Sequence, residues 1–144
     1  MTHTGVRASA CTLAALLWLN AGSPYASADD KNKKVSLSLK VTPSMASAPV
    51  RIRASVEIRG GPDDNQELYC PAVEWEWGDD TTSESSADCA PYQAGQSQIV
   101  RRYSAEHTFR SGGQYKVVLR LKQKNRIVGF TSSNLQVQGG ISER

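Results

Sequence analysis

The sequence predicts an all-β fold in which two antiparallel sheets, with about seven strands in total, pack face to face as a sandwich. Apolar and polar residues alternate with period two in several segments, as they do in strands that have one wet face. Clusters of Gly, Pro, Asp and Asn separate these segments at short intervals, and no window has a sustained helical period. Short alternating strands separated by turns are typical of a β-sandwich.

The amino-terminal segment has the features of a Sec-type signal peptide. Arg7 supplies a positive flank, residues 10–19 form an apolar core, and residues 26–28 (Ala-Ser-Ala) match the small-x-small cleavage pattern. The apolar core is shorter than the roughly 20 residues that a membrane helix needs. Cys11 lies inside this core, whereas a lipidated cysteine would follow it. The sequence therefore predicts a secreted or periplasmic protein that begins at Asp29 and has no membrane span.

The remainder of the chain fits one domain of common size. We expect a cleaved signal peptide over residues 1–28, a flexible amino terminus over 29–34, the sandwich over 35–138 and a tail over 139–144. The formal net charge of +3 at pH 7 is too small by itself to indicate a polyanionic partner. We therefore expect no nucleic-acid partner.

Two of the three cysteines remain after export, Cys70 and Cys89. An even number of cysteines in a small exported domain favours a disulfide, which is worth on the order of 3 kcal/mol in the chain-entropy model. The alternative is a pair of free thiols or a metal pair. No C-x-x-C spacing is present, however, and only His107 could join the two cysteines. We predict a Cys70–Cys89 disulfide, no metal and no cofactor.

The first part of the domain is predicted to contain four strands. The last of them carries the heaviest apolar load, because Val73, Trp75 and Trp77 alternate with Glu74 and Glu76, and it is expected at the centre of a sheet. A run of turn-forming residues, Gly-Gly-Pro-Asp-Asp-Asn, precedes the third strand. The four predicted strands cover residues 35–42, 50–59, 68–70 and 73–77.

The second part begins with a polar loop over residues 82–96 that carries Cys89. Loops of this length are usually functional or tied down. Turns are predicted at residues 111–113 and at Lys124-Asn125, and a bulge is predicted near Ser132. The predicted strands of this part cover residues 99–103, 105–109, 115–122 and 126–130, and residues 135–137 either extend the last of these or resume it after the bulge.

Three segments together resemble the signature of the PKD domain, a small immunoglobulin-like β-sandwich. In that family a Trp-x-Phe/Trp-Gly-Asp-Gly segment ends the central strand, and His-x-Tyr/Phe and Gly-x-Tyr-x-Val-x-Leu segments follow. Here these segments are residues 75–80 (Trp-Glu-Trp-Gly-Asp-Asp), 107–109 (His-Thr-Phe) and 113–119 (Gly-Gln-Tyr-Lys-Val-Val-Leu). The resemblance covers residues 50–137 and implies an immunoglobulin-like, PKD-type sandwich. Asp80 replaces the second glycine of the family, and Asp tolerates a positive φ better than most residues.

The resemblance gives structural roles to the residues of these motifs. Alternation points both indole rings inward, between the sheets. This direction favours a core role over the alternative, an exposed aromatic platform that binds a sugar. Tyr115 resembles the tyrosine-corner residue of immunoglobulin domains, but Val117 stands where an antibody domain has its second cysteine. The residues with predicted structural roles are Trp75, Trp77, Gly78, Asp79, His107, Phe109, Gly113 and Tyr115.

Two of these motifs also permit a chemical interpretation. Asp79 and Asp80 are paired carboxylates, which can perform acid–base chemistry or bind calcium. An Asp beside Gly in a tight turn usually bonds its own backbone, however, and the resemblance makes Asp79 structural. His107 with Ser104 or Ser111 would need a Ser-His-Asp convergence that one sequence does not show, and no Gly-x-Ser-x-Gly segment is present. We expect no catalytic residue and no enzyme activity.

Charge is unevenly spread along the domain, with acidic residues in the middle and basic residues later. The strand that holds Glu74 and Glu76 is expected to lie antiparallel to the strand that holds Lys116 and Arg120, so that outward carboxylates face outward cations. A further group of cations lies at a hairpin end without evident partners. These are the candidate contacts for an anionic ligand: Lys122, Lys124 and Arg126.

These features favour an exported, non-catalytic module that contacts a protein or a carbohydrate at the cell envelope or outside the cell. The alternative is a small secreted inhibitor or ligand-binding protein that uses the disulfide-pinned loop over residues 82–96 as its contact surface. A rigid loop loses less entropy on binding than a flexible one. The sequence predicts either an unknown protein or a glycan as the partner.

Overall fold

The computed structural model describes residues 34–140. The predicted signal peptide lies outside these residues, as do most of the predicted flexible amino terminus and the end of the predicted tail. Eight strands and one 3₁₀ turn (Gln66–Leu68) make up the described part of the chain. The strands are β1 (Ser36–Thr42), β2 (Met45–Ser47), β3 (Val50–Arg59), β4 (Ala72–Glu76), β5 (Thr82–Ser85), β6 (Arg102–Phe109), β7 (Gly113–Gln123) and β8 (Arg126–Gln138).

The strands form two sheets that pack as a sandwich. Sheet A has the order β1-β3-β6, and sheet B has the order β2-β8-β7-β4-β5. All paired neighbours are antiparallel except the three-residue strand β2, which runs parallel to the end of β8. The predicted two-sheet, all-β sandwich is confirmed. It differs from the prediction in having eight strands and one short parallel pair.

The core lies between the sheets and is built from the inward positions of the alternating strands. Ile52 and Val56 of β3 are each 1% exposed, and Leu119 of β7 is fully buried. Because successive side chains of a strand point to opposite faces, the period-two pattern assigns each inward residue to this core. At roughly 1.5–3 kcal/mol for each large apolar side chain, burial of this layer is the main force that holds the sheets together.

Two predictions for the middle segment are wrong. Residues 68–70 are not a strand, because Asn65 caps the 3₁₀ turn Gln66–Leu68 by accepting bonds from the backbone N–H groups of Glu67 and Leu68. Residues 99–103 and 105–109 do not form two strands either. Strand β6 begins only at Arg102 and runs without a break, paired with β3 along its whole length.

Two further details of sheet B differ from the prediction. Residues 82–85 are the edge strand β5, not part of a loop, and all four of their side chains are exposed, so no apolar alternation marks them. The bulge of β8 lies at Val128, where the register with β7 shifts between Leu121 and Lys122. The predicted bulge position, Ser132, pairs regularly with Val118.

The turn after β4 depends on Gly78. Its φ is +83°, and a Cβ atom at this position would lie 2.8 Å from the carbonyl oxygen and 2.9 Å from the nitrogen of Lys116. Both of these are backbone atoms of β7, which cannot move without disturbing the centre of sheet B. Gly78 is therefore required both by backbone conformation and by the close approach of a neighbouring strand.

We predict that Gly78→Ala lowers the free energy of unfolding by about 3 kcal/mol, from a left-handed backbone penalty and an overpacking penalty together. Gly95→Ala is the matched control, because Gly95 has a φ of +74° and no atom within 4 Å of the added methyl group. It should cost only about 1 kcal/mol. Urea unfolding of both variants measures the difference, and equal losses would contradict the role of the Lys116 backbone.

Candidate functional site

Five rings form a continuous row between the sheets. Trp75 and Trp77 are stacked with centroids 5.7 Å apart, and the imidazole of His107 stacks on Trp77 at 4.6 Å. Phe109 meets His107 edge-on at 4.8 Å and packs against Tyr115 at 4.2 Å. The row thus joins residues from all three of the motif segments and crosses from sheet B to sheet A.

The two indole rings are buried and do not form a sugar-binding platform. Trp75 is 2% exposed and Trp77 is 1% exposed, as the alternation of β4 predicts. The indole N–H of Trp77 donates to the hydroxyl of Ser83 in β5 at 3.0 Å. This bond satisfies a donor that burial would otherwise leave unpaired, at a cost of about 1–3 kcal/mol.

Asp79 links the turn after β4 to the opposite sheet. One of its carboxylate oxygens accepts bonds from the backbone N–H and the hydroxyl of Thr81. The other lies 2.7 Å from Nε2 of His107 in β6. Burial alone would raise the pKa of Asp79, but the bonds from Thr81 and His107 outweigh it and hold the pKa below its usual value. Asp79 therefore stabilises both the turn and the cross-sheet contact.

The neighbouring Asp80 has the positive φ that its position in the motif implies, at +63°. The N–H of Trp77 donates to the carbonyl oxygen of Thr81 across this turn at 3.1 Å. Asp80 is exposed, whereas Asp79 is partly buried and makes the His107 contact, so the two adjacent carboxylates have different surroundings.

The tyrosine-corner contact is present. The hydroxyl of Tyr115 donates to the carbonyl oxygen of Ser111 at 2.8 Å, four residues upstream. A Cβ atom at Gly113 would lie 3.2 Å from the Tyr115 ring, so the small residue leaves room for the ring to fold back. This bond ties the connection between β6 and β7 to the end of the aromatic row.

A Ser-His-Asp arrangement is not assembled around His107. Its Nε2 atom faces Asp79, and neither Ser104 nor Ser111 hydrogen-bonds the ring. Ser104 is exposed on the outer face of β6, whereas the His107 ring packs inward against Trp77. Alternation along β6 therefore places the two side chains on opposite faces of sheet A.

The outer face of sheet B carries balanced charges, as predicted. Arg120 of β7 bonds to Glu74 at 3.1 Å and to Glu76 at 2.7 Å, across the antiparallel β4–β7 pair. A hydrogen bond from Lys122, which outweighs the effect of burial, and one from Arg120 hold the pKa of Glu74 below its usual value. Lys116 lies beyond the end of the β4 pairing and does not take part.

The hairpin cations predicted to lack partners are largely paired. Lys122 bonds to Glu74, and Arg126 bonds to Glu67 at 2.9 Å. Arg126 has a partner because the 3₁₀ turn Gln66–Leu68 brings Glu67 to the hairpin, where a strand was expected. Lys122 has one because the antiparallel β4–β7 pairing brings it within reach of Glu74. Lys124 forms no ion pair within residues 34–140. The groove of about 620 Å³ at this hairpin is lined by Glu67, Lys124 and Arg126, and the ion pair between Glu67 and Arg126 leaves Lys124 as the one unpaired charge among its lining residues.

The outer face of sheet A holds a group of cations that the sequence analysis did not single out. We call it the cationic face and define it as Lys40 of β1, Arg51, Arg53 and Arg59 of β3, and Arg102 of β6. The signal that could have found it is the arginine at alternate positions of β3, since period two puts such residues on one face. Hydrogen bonds from Arg102 and Arg59 hold the pKa of Glu57 on this face below its usual value.

The disulfide between Cys70 and Cys89 is present, with the Cα atoms 6.3 Å apart. Other contacts fasten the same loop. The hydroxyl of Tyr69 donates to the carbonyl oxygen of Ala90 at 3.0 Å, and that of Tyr92 donates to the carbonyl oxygen of Asp64 at 2.7 Å. The loop is thus tied to the sandwich at several points although it has no regular secondary structure after β5.

In the part of the chain that the structure describes, no three His, Cys, Asp or Glu side chains are grouped so that they could hold a metal ion. The same residues contain no helix of the length and apolarity required to cross a bilayer.

Comparison with solved structures identifies the fold. The chain is similar to the PKD domain of an M14-like peptidase from Thermoplasmatales archaeon SCGC AB-540-F20, with 13% identity and a TM-score of 0.50 over 71% of this chain and 92% of that domain. It is also similar to a CARDB domain from Pyrococcus furiosus solved in complex with di-metal ions, with 9% identity and a TM-score of 0.43 over 74% of this chain and 94% of that chain. No family model and no curated protein matches the sequence. The fold is that of a PKD-type, immunoglobulin-like sandwich.

We predict that Asp79→Asn lowers the free energy of unfolding by about 1–3 kcal/mol at pH 7, because charge-assisted bonds to Thr81 and His107 are weakened. Since the pKa of Asp79 is depressed in the folded state, its stabilisation is fully present above the unfolded pKa of about 3.9 and is lost as the pH falls through the folded value. The difference between wild type and variant should therefore shrink below about pH 4.

Urea unfolding at several pH values measures this difference. Asp88→Asn is the matched control, because Asp88 is an exposed residue of the loop and forms no hydrogen bond within the described residues. It should leave stability unchanged at every pH. A difference for Asp79→Asn that stays constant from neutral to strongly acidic pH would contradict the proposed contribution of the ionised carboxylate.

Proposed function

We propose that the chain is an exported, non-catalytic module that makes protein or carbohydrate contacts at the cell envelope or outside the cell. In this proposal residues 1–28 are a cleaved signal peptide, residues 29–34 a flexible amino terminus, residues 35–138 the sandwich and residues 139–144 a tail. The disulfide between Cys70 and Cys89 supports an oxidising compartment, either the periplasm or the outside of the cell.

The observation that supports the proposal is that the polar motif residues are engaged in contacts within the sandwich. Asp79, His107 and Tyr115 have the side chains of this site that are most capable of acid–base chemistry. Each of them is engaged in a contact that holds the sandwich together. The ring of His107 is covered by Trp77 on one side and by Phe109 at its edge. Folding therefore accounts for these residues, and it leaves the exposed strand faces and the fastened loop to make external contacts.

We predict that the exported chain captures a protein or glycan from an envelope extract, and that Asp79→Asn captures it equally well once folded. A structural role for Asp79 requires this, because the variant changes stability and leaves the surface unaltered. Pull-down with the tagged chain, at a temperature where circular dichroism shows both forms folded, makes the measurement. Turnover of an ester, peptide or glycoside substrate that is abolished by His107→Ala would refute the non-catalytic assignment.

The loop over residues 82–96 supports a second candidate, a small secreted inhibitor or ligand-binding protein. Beyond β5 its side chains are mostly exposed, while its backbone is held by Cys89, by Tyr92 and by the bond from Tyr69 to Ala90. A segment that is exposed yet fixed loses little conformational entropy when a partner binds it. This combination is the property that a contact loop requires.

If this loop is the contact surface, replacing both Cys70 and Cys89 by Ser should weaken capture of the partner. Without the disulfide the loop would lose more conformational entropy when the partner binds it. Tyr92→Phe is the milder control, since it removes only the bond to Asp64 and leaves the disulfide in place. It should have a smaller effect in the same direction. Undiminished binding by the folded double serine variant would rule out the loop as the contact surface.

A further inference from the structure

We propose that the cationic face of sheet A is the binding surface of the module, and that its ligand is a linear polysaccharide carrying carboxylate or sulfate groups. The inference rests on the proposed binding function and adds to it a surface and a ligand class. It also moves the anionic contact away from the hairpin of Lys122, Lys124 and Arg126, where two carboxylates accompany three cations, to a face where two carboxylates accompany five.

Charge on this face is strongly asymmetric. Its five cations are accompanied by only two carboxylates, Glu57 and Glu106, at the outward positions of β1, β3 and β6. Glu57 is shared by Arg59 and Arg102, each at 2.8 Å. Glu106 is shared in the same way by two arginines of β3. Each carboxylate neutralises only one of the two arginines bonded to it. The group around Glu57 and the group around Glu106 therefore each keep an excess positive charge.

The carboxylates also hold the arginines in place. Arg51 and Arg53 both reach Glu106, at 3.1 and 2.7 Å, and remain 74% and 65% exposed. Arg102 is 80% exposed while it is bonded to Glu57. The guanidinium groups are therefore accessible and yet already oriented, which reduces the entropy lost when they bind an anion. Guanidinium groups suit carboxylate and sulfate oxygens because their N–H donors form a planar fork.

Short hydroxyl side chains fill the space between the cations. Lys40 of β1 lies beside Ser55 of β3, which lies beside Ser104 of β6, in one row across the sheet. A groove of about 400 Å³ lies over this region, and Ser38 is among its lining residues. The hydroxyls do not project far from the sheet, and they can both donate and accept hydrogen bonds. This combination matches a chain of sugars, which presents hydroxyl groups between its acidic groups.

The dimensions of the face favour an extended ligand. Three strands at about 4.8 Å spacing make it about 10 Å wide, and the eight residue steps from Arg51 to Arg59 make it about 26 Å long. Its cations are distributed along this length and are not gathered at one point. A linear polymer with repeated anionic groups can contact them all, whereas a small anion would reach one cluster only.

Two other anionic partners are disfavoured by what the face lacks within residues 34–140. The large apolar side chains that are exposed anywhere in residues 34–140 are those of Met45, Val100, Ile127 and Phe130. None of them is an outward residue of β1, β3 or β6. A surface that binds a lipid bilayer combines cations with apolar residues that enter it. Single-stranded nucleic acid requires exposed aromatic platforms, and the aromatic residues of β6 point inward.

The test measures binding of the exported chain to heparin, as a sulfated probe, and to alginate, as a carboxylated probe, with dextran as the neutral control. We expect both anionic polymers to bind, dextran not to bind, and the affinity to fall steeply as salt rises from about 50 to 200 mM. Lys40→Gln with Arg102→Gln should raise the Kd roughly tenfold. Lys124→Gln with Arg126→Gln removes the same charge from the remote hairpin and should leave the Kd nearly unchanged.

A second pair of variants adds a charge without breaking an ion pair. Ser104→Glu places a carboxylate in the centre of the cationic face, and Ser132→Glu places one at an exposed strand position on the outer face of sheet B. Only the first should weaken polysaccharide binding. Thermal melting verifies that each variant is folded before its Kd is compared.

Each remaining outcome overturns a defined part of the proposal. Equal losses from the two charge-removal pairs would mean that net charge alone drives binding and that sheet A is not the site. Tighter binding to vesicles containing anionic lipid, to single-stranded DNA or to polyglutamate than to either polysaccharide would refute the ligand class. Failure to bind any polysaccharide, with a protein still captured from the envelope extract, would overturn this inference and leave the binding function standing.

Discussion

The contact between Asp79 and His107 is the constraint on which the rest of this sandwich depends. It joins a turn of sheet B to a strand of sheet A, and it forms only if three neighbours are in place. Gly78 must let the chain pass against the Lys116 backbone, and Thr81 must orient the carboxylate. Trp77 must stack on the imidazole ring of His107. The tolerance of the sandwich to change should therefore be lowest here and should increase toward the outer faces.

The two outer faces use charge in different ways. On sheet B, Glu74 and Glu76 are matched by Arg120 and Lys122 on the adjacent strand, so the charges satisfy each other. On sheet A, arginines outnumber the carboxylates that hold them, and most of their surface remains in water. Exposed ion pairs of this kind contribute only about 0–1 kcal/mol each to folding. Stability alone thus gives no reason for an arginine excess on one sheet.

The sequence predicts most of the fold because its core strands alternate clearly. Period two predicts the inward direction of Trp75 and Trp77, and with the motifs it predicts the charge pairs between β4 and β7. The number of cysteines predicts the Cys70–Cys89 disulfide. Strand β5 escaped prediction because all four of its side chains are exposed, so no apolar alternation marks it. The capped turn at Asn65 escaped because a local side-chain bond overrides strand propensity there.

The candidate site was harder to predict than the fold, for a related reason. An unpaired cation in the sequence becomes a paired one when a distant segment folds against it, as Glu67 does against Arg126. Conversely, the arginines of β3 look ordinary one at a time and become a surface only when β1 and β6 place Lys40 and Arg102 beside them. Alternation places the arginines of β3 on one face, but it does not reveal which strands lie beside β3, because those pairings join residues far apart in sequence.

The two surfaces considered for binding are anchored to the same turn, and this restricts how either can work. Strand β3 ends at Arg59 and leads directly into residues 60–65. The loop returns to that turn, because Ile99 donates its N–H to the carbonyl oxygen of Asp63 at 2.7 Å and Tyr92 bonds to Asp64. Arg101 braces the junction by bonding the carboxylate of Asp63 and the carbonyl oxygens of Gly60 and Gly61. The loop is therefore fixed relative to the end of the cationic face, and a polymer that extends past Arg59 would meet a surface already in position.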